Sequence, residues 1–118
     1  MAPRALKAQG AAAGDQRLIN AIADKTRREV MRWVALQLVD ISRPDAVSDT
    51  HLYAVLAQQF NGLTTGELRR CLDYLVDRGL LRLSVEPLQW WVRLSYQGID
   101  LIEYTTADTL GIARPPMN

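Results

Sequence analysis

Apolar residues recur at one-turn spacing from Asp15 onward: first Leu18, Ile19 and Ile22, then Val30, Met31, Val34, Leu38 and Ile41, with Trp33 on a flank. Thr26 followed by Glu29 fits a capping box opening the second of these runs. Whether residues 15–25 form a separate helix or extend the next one stays open at this level. Ser42-Arg43-Pro44-Asp45 ends the element, because a proline disfavours helix in the residue before it. A second helix is expected from about Asp49 to Phe60, carrying Leu52, Val55, Leu56 and Phe60 on one face and stopped by Asn61-Gly62. Thr64-Thr65-Gly66-Glu67 is another capping box, and behind it Leu68, Cys71, Leu72, Leu75 and Val76 predict a third helix closed by Gly79. The period then changes from 3.6 to 2. Leu81, Leu83 and Val85 alternate with Arg82, Ser84 and Glu86, and Trp90, Val92 and Leu94 alternate with Gln89, Trp91 and Arg93, with a turn at Pro87. This pattern predicts a β-hairpin. Ser95 caps a last short helix holding Ile99, Leu101, Ile102 and Tyr104.

The chain has 118 residues, of which 48% are hydrophobic and 23% charged, ordinary values for one globular domain with its own core. The expected division is a flexible leader over residues 1–14, the domain over residues 15–106, and an extended tail over residues 107–118 ending in a Pro-Pro pair. No run is long and apolar enough for a membrane span or a secretory leader. With one cysteine, Cys71, and one histidine, His51, the chain has neither an intramolecular disulfide nor the paired soft ligands of a metal site. Cys71 falls on the apolar stripe of the third helix and reads as core. No phosphate-cradling glycine loop, nucleophile signature or catalytic carboxylate pair appears, so no enzymatic activity and no cofactor are expected.

The net charge of +1 is unevenly spread. Residues 1–32 carry seven basic and three acidic side chains, whereas the remaining segments are slightly acidic. Nucleic-acid binders advertise basic surface because phosphate contacts supply most of their affinity. Here only the first quarter is basic, and a solvated helix face accounts for the same residues.

Helix, helix, short turn, helix, hairpin and helix is the element order of a winged helix-turn-helix: mainly α with a small β-hairpin. Leu72, Leu75, Gly79, Leu80 and Leu81 resemble the "L-x-x-L-x-x-x-G-L-[LI]" pattern of bacterial ArsR and MarR proteins, and Asp24, Thr26 and Arg27 resemble the opening of the ArsR-type helix. The closing stretch is similar to small winged-helix proteins of Mu-like phages and prophages, through Arg93, Leu94, Ser95, Gly98, Ile99, Asp100, Gly111, Ile112, Arg114 and Pro115. The resemblance implies a DNA-binding or transcription-regulatory protein in the cytoplasm of a bacterial host, with dimerisation through terminal helices. Double-stranded DNA would meet Thr64, Thr65, Gly66, Arg69, Arg70 and Asp73 of the third helix, with an arginine paired to guanine. Lys25, Arg27, Arg28, Arg32, Arg82 and Arg93 would contact phosphate. Leu18, Ile19, Ile22, Trp33 and Trp91 would form a homodimer or partner surface. The hairpin tip, Val85-Glu86-Pro87-Leu88, departs from the basic wings of these families. It favours the competing reading, a winged-helix protein-interaction module such as a phage assembly or packaging adaptor.

Overall fold

The computed structural model describes the backbone of residues 2–117 and the side chains of residues 14–117. The elements are α1 (Ala2–Ile41), β1 (Val47–Ser48), α2 (Asp49–Leu56), α3 (Thr65–Asp77), β2 (Leu81–Val85), β3 (Trp90–Leu94) and α4 (Tyr96–Ile102). The three strands form an antiparallel sheet in the order β1-β3-β2.

The two apolar runs before Ser42 belong to a single helix of 40 residues, about 60 Å long at 1.5 Å per residue. The segment expected as a leader falls on its first turns. Thr26 therefore caps nothing: it stands exposed in mid-helix. The buried face of α1 also differs from the stripe read along the chain. Met31, Trp33, Ala35, Leu36 and Val39 are in the core, while Ile41 is exposed. α1 packs against α2, α3, β3 and α4 at once, so it buries a wide arc rather than one stripe. Trp33, expected on a partner surface, is consequently interior, edge-on to Tyr104 with ring centroids 6.3 Å apart.

Three hydroxyls cap helices by accepting backbone N–H bonds: Ser48 from His51, Thr64 from Glu67 and Ser95 from Gly98. α2 ends at Leu56, and residues 57–60 tighten into a turn in which Gln58 and Gln59 donate to Val55 and Leu56. Leu81, Val92 and Leu94 point inward from the hairpin into the same core as Leu68, Leu72 and Leu75 of α3. The strand β1, absent from the sequence reading, places Val47 opposite Val92 and Ser48 opposite Trp91.

The tail turns at Leu110-Gly111 and is tied down. Ala113 N–H donates to the Glu29 carbonyl, Arg114 donates to the carbonyls of Leu101 and Thr106, and Ile112 is buried in the core. Cys71 is buried, and burial pushes its thiol up to about 12. That suits packing, since a thiolate is not available at neutral pH.

Candidate nucleic-acid interface

The capped start of α3 faces solvent. Thr64, Thr65, Gly66, Arg70 and Asp73 are all exposed there, opposite the stripe of Leu68, Leu72 and Leu75. Between this face and α1 lies a groove of about 620 Å³. Arg27, Arg28 and Arg32 line it from α1, Asn61 and Gly62 from the turn, and Thr64, Glu67, Arg70 and Tyr74 from α3. Four guanidiniums against the carboxylates of Asp24 and Glu67 make it basic.

These arginines do different work. Arg27 grips Glu67 through two N–H···O bonds of 2.8 and 3.0 Å. The bidentate pair explains why Glu67 does not reach back to complete the predicted capping box: a charged fork outcompetes a backbone amide for the carboxylate. The Arg27 hydrogen bond holds the Glu67 carboxyl below its ordinary range. A depressed carboxyl stabilises the fold above its unfolded pKa and loses that contribution as pH falls through the folded value. Glu67→Gln is therefore expected to cost about 1 kcal/mol at neutral pH. The deficit relative to the parent should shrink once pH falls below the unfolded carboxyl value of about 4.3 and vanish only below the lower folded value, as followed by denaturant unfolding across that range.

Arg32 lies 3.5 Å over the Tyr74 ring and donates to the Gly111 carbonyl, and Tyr74 donates to the Leu110 carbonyl, so the tail is pinned beside the groove. Arg28 and Arg70 are exposed and make no ion pair among the described residues.

Arg69 is placed otherwise than a base-reading residue would be. Its Nε and Nη2 donate to Asp49 Oδ2 at 3.3 and 3.1 Å, and its guanidinium lies 4.7 Å over the Trp90 ring. Asp49 is buried, and its other oxygen accepts the Trp90 backbone N–H at 3.0 Å. A carboxylate out of water needs such partners. The three residues tie α2, α3 and the start of β3 together, a cluster for which the sequence carries no spacing signal. Lys25 is exposed and lies outside the groove lining. Arg82 and Arg93 also lie elsewhere, opposite one another on the outward face of the sheet. The hairpin tip exposes Val85, Glu86, Pro87 and Leu88.

Leu18, Ile19 and Ile22 are 56–61% exposed on the projecting half of α1, and Trp91 is 38% exposed. Among the described residues no three His, Cys, Asp or Glu side chains group as metal ligands, and no helix is long and apolar enough to cross a membrane.

No family model matches the sequence, and no curated protein matches it either. Solved structures do match in fold. A probable transcriptional regulator from Pseudomonas aeruginosa aligns with a TM-score of 0.50 at 21% identity, over 61% of this chain and 52% of that one. The chain thus spans about half the length of that protein. A cysteine-to-serine mutant of MarR from E. coli, solved with operator DNA, aligns with a TM-score of 0.52 at 22% identity, over 75% of this chain and 69% of that one. A MarR transcriptional regulator from Methanosarcina mazei aligns with a TM-score of 0.46 at 17% identity, over 75% and 66% of the two chains. The chain has the winged helix-turn-helix fold, mostly helical with a small antiparallel sheet.

Proposed function

We propose that this chain is a transcriptional regulator that reads duplex DNA with α3. The observation that carries the reading is the convergence of Arg28 and Arg70, exposed and without ion partners among the described residues, on the capped N-terminus of α3. Arg70, with Thr65, Gly66 and Asp73 beside it, takes the base edges. Arg28 and the Thr64 hydroxyl take phosphate, and Arg27 and Arg32 add positive potential from the groove wall. Arg69 serves as a strut. The likeness in fold to a MarR protein solved with operator DNA supports the DNA-binding reading.

Leu18, Ile19 and Ile22 leave an apolar strip on α1 that a second copy of the chain would cover, giving a dimer with two reading helices. The likeness of the stretch from Arg93 to Pro115 to proteins of Mu-like phages favours a phage or prophage setting in a bacterial cytoplasm. One observation favours the second reading, a protein-interaction module: the acidic, apolar hairpin tip, where Leu88 is 93% exposed.

Arg28→Gln is expected to weaken binding to all duplexes equally and to reduce the salt slope by about 1. Arg70→Gln should instead cost about tenfold or more at the preferred site and relax the choice of one base pair. Titrations at several salt concentrations separate the two roles. Unchanged affinity in both variants would remove the groove from the DNA site.

A further inference from the structure

The sheet has an outward face that the α1–α3 groove does not use; the two share no lining residue. Arg82 and Arg93 stand directly opposite each other on β2 and β3. Like charges in that register are destabilising, and neither arginine forms an ion pair among the described residues. Of the nearby acids, Asp40 and Glu103 pair with Arg43, and Glu86, which accepts the Ser84 hydroxyl, is among the described residues the one carboxylate bordering the face against the two arginines. Both guanidiniums are held in place, Arg93 by the Pro44 carbonyl at 3.1 Å and Arg82 by lying 5.6 Å from the Tyr96 ring centre.

Two concavities, of about 450 and 190 Å³, adjoin this pair and are both lined by it. Trp91 borders the first and Tyr96, 78% exposed, borders the second. Trp91 has serines as its cross-strand partners on both sides, Ser84 and Ser48, and part of the indole is left open to solvent, 38% of the residue being exposed.

We propose that this face is a second nucleic-acid site, specific for single strands, in which a base stacks on Trp91 while Arg82 and Arg93 hold the adjoining phosphates. A paired cation with an open aromatic platform beside it fits a ligand offering both an anion and a free π-face. A duplex offers the phosphates but keeps its bases stacked inside. An acidic polypeptide satisfies the arginines and leaves the indole without a flat partner.

The test is a titration of the full chain with an oligothymidylate of about 12 nucleotides, read by tryptophan fluorescence. Saturable quenching is expected, because Trp91 is the exposed indole whereas Trp33 is buried and Trp90 lies under Arg69. Trp91→Ala should lose about tenfold in affinity, measured by anisotropy of labelled strand, and Trp91→Phe should recover most of it. Arg82→Gln with Arg93→Gln should flatten the salt slope by about 1.4, for two contacts on a single strand. The double variant should melt no lower than the parent, since a like-charge pair has been removed. Arg28→Glu with Arg70→Glu should leave the single strand bound while abolishing any duplex binding. Three outcomes would overturn the proposal: no saturable binding at near-physiological salt, equal competition by polyglutamate with indifference to Trp91→Ala, or equal loss in the Arg28/Arg70 variant.

Discussion

Gly98→Ala is expected to destabilise the fold by about 3 kcal/mol, at the upper end for a single added methyl in a packed site. A Cβ at this position would overlap the Leu80 carbonyl oxygen and sit 3.0 Å from Leu94 Cδ2. Neither neighbour can retreat easily. The Leu80 carbonyl accepts the Ser95 N–H, and Gly98 N–H is itself held by the Ser95 hydroxyl. The junction of α4 with the start of β2 would have to open, carrying the hairpin with it. Urea unfolding should show a lower midpoint with an unchanged slope, and the melting temperature should fall by roughly 15 °C. The same substitution at Gly14 makes the contrast. Nothing lies within 4 Å of a Cβ there, and the residue is in α1, so alanine should stabilise by up to about 1 kcal/mol.

Asp49→Ala is expected to cost about 2 kcal/mol, less than breaking a wholly buried pair, because the Arg69 side chain is 41% exposed and can turn to water. The loss comes mainly from the Trp90 N–H, which is left without its acceptor at the start of β3. Asp49→Asn should cost less, since its Oδ1 keeps that bond while the charge pairing goes. A double-mutant cycle with Arg69→Ala should return a coupling well outside the error of unfolding measurements. Because the cluster fixes α3 against the hairpin, Asp49→Ala should also weaken duplex binding while the folded fraction is still near complete. Arg69 would then be shown to act through placement of α3 and not by touching a base.

The parts of the fold that are legible along the chain are those in which a local rule and the packing agree. Thr64 caps α3 because four backbone donors need acceptors wherever a helix begins, and Gly79, with φ of +75°, ends it where the chain must turn left-handed. The hairpin is legible because alternation survives in both strands. What is illegible depends on distant partners. Thr26 and Glu29 satisfy the capping pattern, yet α1 runs through them, since such a pattern permits a start and does not compel one. Trp33 lies off the predicted stripe but is covered by α4 and Tyr104, elements far along the chain. Val47 and Ser48 are too few to alternate and become a strand only against β3. Ile112 sits among glycine and prolines without period, and reaches the core because the tail bonds to α1.

The candidate site divides along the same line. The exposed face of α3 follows from its own periodicity, so Thr65, Gly66, Arg70 and Asp73 are identifiable as a group. The fate of each arginine does not follow. Arg27, Arg28, Arg32, Arg69 and Arg70 look alike in sequence, and only the packed structure separates the pair without an ion partner among the described residues from those bound by Glu67, Asp49, Tyr74 or Gly111.

Selection of bound duplexes from a random library at near-physiological salt, run in parallel with the parent and Arg70→Glu, decides whether α3 reads duplex DNA. A single enriched site retained by the parent and lost by the variant is the predicted result, with two half-sites about one helical turn apart if the chain is dimeric. Absence of any enriched site, with residual binding that disappears as salt rises, would contradict it and leave only a nonspecific electrostatic contact.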